Sequence, residues 1–356
     1  MHTIYENQIL ENKMTELIDT KLNTRALMTL DTSLAEGAGL RKVINRYTYK
    51  GTVENLEKGA KNTVKGTVSF VPEYYDVKRY QQTFEYNDMD AMSDPYIVEV
   101  AMRGAANEIT NQINKEYFNE LSKISRRSHF DGDAVTYADI VDALSLIDVE
   151  VDKQLFIIMG SEMRKQIRKD PDFVASKQGE ILYTGQFGTL CGIPVLFSKL
   201  VEGVKAYVTN QDAVRFFVKK EASVEQARDI ETKDNTVVYE RHGLIALVDD
   251  TTSLQIGKNI PDLKISVNEN SSTSDGITMA KVTPTKSNPS NIVYYTYQVS
   301  GKPFYGDAIN QSICAQLLSD GNIAQFNKGE KIEFFEAEPN TGLIVGYAEY
   351  TFKTSL

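Results

Sequence analysis

Apolar residues follow a helical period most clearly between residues 94 and 123. They recur every four positions from Ile97 to Ile113, and polar residues occupy the other faces. Asp94 is suited to cap the N-terminus of this helix, and Pro95 is suited to its first position. The pattern predicts one long amphipathic helix, on which a sheet can pack.

The segment before this helix has the β-branched and aromatic composition of strands. Strand-like stretches occur at 43–49, 64–71 and 74–84. Between the first of them and the others lies a polar segment, 51–63, that is typical of a hairpin tip. Residues 41–86, which we call the excursion, contain nine Lys/Arg and five Asp/Glu. This segment is therefore basic within an acidic chain. Because a two-stranded hairpin is marginal alone in water, we expect it to lie on a neighbouring subunit. The alternative is that it packs on its own domain.

Two classes of side chain on this excursion are candidates for contacts between subunits. Lysines supply its positive charge, and aromatic residues supply apolar area. The candidate residues are Lys50, Lys58, Lys61, Lys65, Tyr47, Phe70 and Tyr80.

The remainder of the chain changes pattern twice. Residues 136–260 alternate helices with short apolar strands, which predicts an α+β domain with a mixed sheet. Beyond 257–261 the helical period disappears, and evenly spaced short strands predict a β-sandwich of immunoglobulin-like type over 259–356. The chain has no Trp, so the Cys…Trp…Cys triplet of antibody domains is absent. The first 40 residues are a polar arm with a short amphipathic helix around 8–20.

Composition narrows the class of protein. A hydrophobic fraction of 41% over 356 residues is that of a folded chain. The net charge of -10 argues against a free-standing nucleic-acid binder, which carries a basic surplus to neutralise phosphates. Cys191 and Cys314 form no metal or redox motif, so we expect two buried thiols in a reducing compartment. We expect no secretory signal and no membrane span.

The search for catalytic chemistry finds no complete motif. The three histidines are not at metal-ligand spacing, and no nucleophile elbow or phosphate-binding loop occurs. The glycine-rich stretch 185–192 lacks the phosphate-loop lysine. Asp131 and Asp133 begin a calcium-loop pattern that the following residues do not complete. We therefore predict no catalytic, cofactor or metal site.

Three stretches carry a resemblance to a known family. Leu155–Asp170 is an apolar strand that leads into a short helix, and Gly188–Ser198 contains a Gly-Ile-Pro-Val strand. Ala206–Val214 is the next strand and turn. These three stretches follow the polar arm (1–40), the basic β-rich segment (41–86) and the long amphipathic helix (94–123), which we call the spine helix. In this order, the segments resemble the major capsid proteins of tailed bacteriophages. The resemblance covers about residues 1–258 and implies the Hong Kong 97-like fold.

The resemblance and the strand pattern of the C-terminal residues together predict an organisation in four parts. They are an N-terminal arm (1–40), an extended β-hairpin loop (41–90), peripheral and axial α+β domains (91–258) and an appended β-sandwich (259–356).

It also implies a structural function and not an enzymatic one. Hexamers and pentamers would form an icosahedral head shell around double-stranded DNA. The appended domain has no counterpart in the family's fold, and we expect it outside as a decoration because a mildly acidic domain inside would repel packaged DNA. Expected partners are a separate scaffolding protein, a portal and a maturation protease. Assembly would take place in the cytoplasm of the bacterial host.

Two other hypotheses remain open at this point. An encapsulin-type cellular compartment shares the fold but encloses protein cargo. An enzyme with a carbohydrate-binding β-module would need a catalytic constellation within 90–258. One member of the capsid family joins subunits through Lys–Asn bonds, but no residue match supports this, and the excursion lysines are interpreted as ordinary surface residues.

Overall fold

The computed structural model describes residues 27–35, 39–57, 59, 61–94, 96–147, 154–176, 188–272, 278–324 and 329–353. The predicted helix at 8–20 and Lys58 lie outside these residues. The helices are α1 (Asp88–Ser93), α2 (Ile97–Leu121), α3 (Tyr137–Leu144), α4 (Ser161–Ile167) and α5 (Pro171–Ser176). The first eleven strands are β1 (Thr29–Asp31), β2 (Arg41–Lys50), β3 (Thr67–Asp76), β4 (Lys78–Asn87), β5 (Arg127–Phe130), β6 (Leu155–Met159), β7 (Thr189–Leu190), β8 (Ile193–Phe197), β9 (Lys205–Asn210), β10 (Val214–Arg228) and β11 (Asp234–Leu247). The others are β12 (Leu254–Lys258), β13 (Lys264–Ser272), β14 (Thr278–Thr285), β15 (Ile292–Thr296), β16 (Ala315–Gln316), β17 (Asn322–Ala324), β18 (Lys331–Ala337) and β19 (Ile344–Thr351).

The chain divides into two compact units, each built from several segments. The first unit comprises Met1–Ile124, Asp148–Phe156 and Thr209–Ser253. The second comprises Ser125–Ile147, Ile157–Val208 and Leu254–Leu356.

The first unit is a four-stranded sheet packed on the predicted spine helix, α2. The sheet has the order β1-β10-β11-β4, and β10 and β11 form a long antiparallel hairpin. The helix begins at Ile97, and the Asp94 carboxylate accepts a hydrogen bond from the Tyr96 N–H. Pro95, predicted at the first helical position, lies outside the described residues. Its apolar stripe is buried as predicted. The buried apolar side chains of the helix are Val98, Met102, Ala105, Ala106, Ile109, Ile113, Tyr117, Phe118 and Leu121.

A charge on the buried stripe tests this orientation of the helix. Ile109 is buried, whereas Asn111, two residues on, is exposed. We expect Ile109→Asp to give insoluble or degraded protein, because an unpaired buried carboxylate costs several kcal/mol, roughly. Asn111→Asp should be as soluble as the unmodified chain. Equal soluble yields of the two variants, measured by fractionation after expression, would contradict the assigned face.

The second unit contains a mixed sheet, as predicted. Its order is β5-β12-β9-β6-β8-β7, with β6 and β8 parallel and β9 and β12 antiparallel. Thr136 and Asp139 form a capping box at the start of α3, since each side chain accepts from the other's backbone N–H. The turn between β7 and β8 has positive φ at Cys191 and Gly192, as does Gly188 before β7. Cys191 is exposed at that turn, which corrects the expectation of a buried thiol.

Residues beyond Asp262 form two further sheets in the same unit. Their strand orders are β13-β14-β17 and β16-β15-β18-β19. Side chains from both sheets meet in one apolar core, in which Val282 comes from the first sheet and Phe334 from the second. The predicted linker is packed and not extended into solvent, because Gly257 belongs to β12 and Ile260 is buried.

Candidate assembly surfaces

One face of the hairpin formed by β2 and β3 is predominantly apolar. The strands pair in register from Arg41↔Asp76 to Lys50↔Thr67, and residues directly opposite each other project from the same face. One face therefore carries the pairs Val43↔Tyr74, Asn45↔Pro72 and Tyr47↔Phe70, together with Val68. We call this surface the ribbon face.

The ribbon face is open to solvent within the single chain. Tyr47, Phe70 and Tyr74 are 68%, 58% and 63% exposed. The Tyr47 and Phe70 ring centroids lie 6.1 Å apart, so the two rings form one aromatic contact surface. Contiguous exposed apolar area of this kind marks an interaction surface in a folded protein.

The opposite face of the hairpin is anchored at its base. Ile44 and Tyr75 are buried against Phe217, Leu244 and Ala246 of the first unit. The hairpin therefore rests on its own chain at one end, as the alternative prediction held, and extends beyond it at the other.

Ion pairs within the chain neutralise part of the basic surplus. Arg41 pairs with Asp76 at 2.6 Å, and Arg46 pairs with Glu73 at 2.9 Å. Toward the tip, Lys50, Lys61 and Lys65 are exposed. The positive charge that remains open to solvent is thus concentrated at the far end of the hairpin.

One hydrogen-bonded contact orders the tip itself. The Glu54 carboxylate accepts hydrogen bonds from the Thr63 N–H at 2.9 Å and from the Thr63 hydroxyl. The backbone hydrogen bond from Thr63, followed by that hydroxyl, lowers the pKa of Glu54 below its usual value. This contact joins the two polar arms of the tip beyond the paired strands.

The structure brings together only some of the predicted contact residues. Tyr47 and Phe70 lie side by side on the ribbon face, and the described lysines are exposed. Tyr80 does not join them, because it is 5% exposed, packs on Phe216 and donates its hydroxyl to Glu116 at 2.7 Å. Burial, followed by the nearby Glu116 charge, raises the pKa of Tyr80.

Sequence reasoning missed the other large exposed apolar side chains of the ribbon face, Val43, Val68 and Tyr74. Their period-two spacing with Tyr47 and Phe70 is the signal that would have identified them.

A second surface lies within the second unit, on one face of its mixed sheet. Lys205, Gly257 and His129 are opposite one another on the adjacent strands β9, β12 and β5. Their side chains therefore project from one face, and the missing side chain of Gly257 leaves a gap in the row. The buried ring of Phe304 fills that gap, and its centroid lies 4.8 Å from the His129 centroid.

Polar contacts hold the loop that carries Phe304 in place. Arg127 Nη1 donates to the carbonyl oxygens of Gly301 and Lys302, the latter at 3.0 Å. Lys205 forms an ion pair with Asp307, and the Tyr305 N–H donates to the Lys258 carbonyl. The loop thereby joins the two C-terminal sheets to the mixed sheet.

The environment of His129 makes this junction sensitive to acid. Burial, followed by the charges of Lys302 and Arg127, lowers the pKa of His129, while Asp307 and Asp131 oppose the shift. The unfolded chain then binds a proton more readily than the folded one, so stability falls as pH falls below about 6.5, the usual histidine pKa. We expect His129→Phe to weaken this dependence in denaturant titrations between pH 7.5 and 5. An unchanged slope of unfolding free energy against pH would contradict it.

Two kinds of site are absent from the part of the chain that the structure describes. Within these residues no group of three or more His, Cys, Asp or Glu side chains could hold a metal ion. No described helix is long and apolar enough to cross a membrane.

Comparison with solved structures identifies the fold. The capsid of a native GTA particle superposes with a TM-score of 0.53 at 10% identity, covering 66% of this chain and 89% of that one. The capsid of the cyanophage P-SCSP1u superposes with a TM-score of 0.50 at 10% identity, covering 65% and 86%. At a sequence identity of 10%, the structural similarity to these two capsid proteins shows only that the fold is shared.

Comparison of sequences gives the family. No curated protein matches the chain. The family model for phage capsid proteins matches residues 71–256, more than half of the chain, from the second hairpin strand to the mixed sheet. By its sequence, the chain belongs to the phage capsid protein family.

Proposed function

We propose that this chain is a major capsid protein that self-assembles into an icosahedral shell enclosing double-stranded DNA. The observation that carries the proposal is the ribbon face, which is apolar, aromatic and uncovered in the single chain. Burying one such side chain stabilises a contact by about 1.5–3 kcal/mol. A shell repeats that contact in every subunit, so identical copies of this chain are suitable occupants.

Under this proposal, each part of the chain takes a role in a Hong Kong 97-like arrangement. In this interpretation the hairpin Arg41–Asp76 is the extended loop that reaches a neighbour, and the spine helix lies in the peripheral domain. The mixed sheet of the second unit is the axial domain, which would meet its copies at the centres of hexamers and pentamers. Scaffolding protein, portal and maturation protease are the partners that such assembly would use.

We further propose that residues 259–356 form an immunoglobulin-like sandwich on the outside of the shell. Two sheets that share one core support the sandwich. From Asn259 onward the chain has ten Asp/Glu and seven Lys/Arg, and an acidic domain inside the shell would repel packaged DNA.

Electron microscopy of the purified full chain tests the proposal directly. We expect closed icosahedral shells, and in particles from infected cells we expect nuclease-protected double-stranded DNA. A chain that stays monomeric under all assembly conditions would refute shell formation. Shells that contain protein cargo and no DNA would favour a cellular compartment.

Deletion of the hairpin tip tests the role of the extended loop. Residues 52–57 and 61–64 lie beyond the paired strands and outside the buried core. We expect a chain without residues 52–64 to fold as a monomer but to form no closed shells, as judged by gel filtration and negative-stain microscopy. Normal capsids from this variant would show that the tip is not needed to join subunits.

A further inference from the structure

A cleft in the C-terminal sheets has the form of a small-ligand site. It has a volume of about 510 Å³ and lies between the loop that follows β14 and the turn that joins β18 to β19. Pockets that hold small ligands commonly have volumes of about 300–1,000 Å³. The cleft lies within one chain, so the inference is independent of shell assembly.

A buried carboxylate fixes the first wall of the cleft. Glu336 is buried and accepts hydrogen bonds from the Ser287 N–H, the Asn288 N–H and the Asn291 side-chain amide. Lys286 Nζ donates to the Asn291 carbonyl at 2.6 Å. These contacts hold the loop in one conformation before any ligand arrives, which lowers the entropic cost of binding.

A hydrogen-bonded turn fixes the second wall. The Glu338 N–H donates to the Leu343 carbonyl, and the Gly342 N–H donates to the Glu338 carbonyl. The Thr341 hydroxyl donates to the Glu338 carboxylate at 2.8 Å. Gly342 has φ of +67°, a conformation that glycine adopts without strain. Asn340 is exposed at the apex of this turn and faces the cleft.

The chemistry of the lining selects the class of ligand. Hydroxyl and amide groups predominate, with one carboxylate, Glu338, and no Lys, Arg or His. Such a lining offers both donors and acceptors to hydroxyl groups, and it disfavours phosphate or sulfate. Tyr305 adds an aromatic ring that is 43% exposed, and Lys258 Nζ lies 5.5 Å from its centroid. An aromatic body with a polar edge suits the alternating apolar and hydroxyl surfaces of a sugar ring.

We propose that this cleft binds a neutral saccharide of one to three units. The Asn340 and Asn288 amides and the Glu338 carboxylate would hydrogen-bond its hydroxyls, and Tyr305 would pack on one ring.

A glycan array probed with the purified full chain tests the proposal. The probes are neutral hexose and N-acetylhexosamine oligosaccharides, with sulfated and phosphorylated glycans as the contrast, and hits are titrated by calorimetry. We expect binding to neutral glycans that Asn340→Ala and Tyr305→Ala each weaken at least about tenfold. Gln316→Ala, an exposed change on β16 outside the cleft, should bind as the unmodified chain does.

Three results would overturn the proposal. They are no binding to any neutral glycan, a preference for the sulfated or phosphorylated probes, and unchanged affinity in Asn340→Ala. Because Asn340 is exposed, its replacement should leave the thermal unfolding of the chain unchanged. Loss of binding without loss of fold is therefore measurable.

Discussion

Replacing Phe304 by alanine is expected to destabilise the chain by about 3–5 kcal/mol. The ring is buried in the gap above Gly257, between the mixed sheet and the C-terminal sheets. Its loss removes apolar area and opens a cavity that the paired strands β5 and β12 cannot close. The midpoint of chemical denaturation of the full chain measures the effect. Leu318→Ala, at a side chain that is 67% exposed, should change stability by less than about 0.5 kcal/mol.

A double-mutant cycle with Gly257 tests whether the ring and the gap act as a pair. A Cβ atom added at Gly257 would lie 2.5 Å from Phe304 Cδ1, so Gly257→Ala alone should cost about 1–3 kcal/mol through overpacking. In the Phe304→Ala background the same change should cost much less, because the clashing ring is gone. Additive effects would show that Phe304 does not occupy the gap.

This junction also bears on how the C-terminal region is joined to the rest. Residues 259–356 fall in the same compact unit as the mixed sheet, and the segment that leads into them is buried at Ile260. A protease should therefore cut near 257–262 only after the Phe304 loop is released. We expect the protease to cut there faster in Phe304→Ala than in the unmodified chain. Mass spectrometry of the fragments over time measures the rate and the site of cleavage.

The spine helix could be predicted from the sequence because the pattern that specifies it lies within the helix itself. A four-residue apolar period fixes both the helix and its buried face, and the Tyr96 N–H donates to the Asp94 carboxylate just before the helix begins. The α3 cap at Thr136 was equally local. The mixed sheet followed from short apolar strands that alternate with helices.

The long hairpin of β10 and β11 could not be predicted to its full length. Residues 219–228 are largely polar, and they are strand only because β11 pairs with them from Lys220↔His242 to Arg228↔Asn235. Pairing over such sequence distances leaves no pattern in the strand itself. The burial of Tyr80 has the same origin, since its side depends on the β4–β11 register, in which it is opposite Arg241.

The Phe304 junction was missed for a related reason. Phe304 lies in a loop without periodicity, and its partner Gly257 lies far upstream in β12. A glycine inside a strand signals close approach by another group, but it does not say which group approaches.

Charges placed on the ribbon face should abolish shell formation and leave the monomer folded. In Tyr47→Asp/Phe70→Asp both changes fall on exposed side chains, so the single chain loses no core contact. In a shell the two carboxylates would replace an aromatic contact on a neighbouring subunit and remain unpaired in an apolar surface. Because about 1.4 kcal/mol corresponds to a tenfold change in association, we expect shell yield to fall at least about tenfold. Gel filtration and electron microscopy measure the yield, and circular dichroism checks the fold.

The hairpin provides a control for charge and a control for shape. Ser69 is exposed on the opposite face, so Ser69→Asp adds a carboxylate to the same strand without touching the ribbon face. Tyr47→Phe keeps the aromatic ring and removes only its hydroxyl. Both variants should assemble, because the contact depends on apolar area on one face and not on the net charge of the hairpin. Normal assembly of the double aspartate variant, or equal loss in Ser69→Asp, would show that the ribbon face is not the surface that joins subunits.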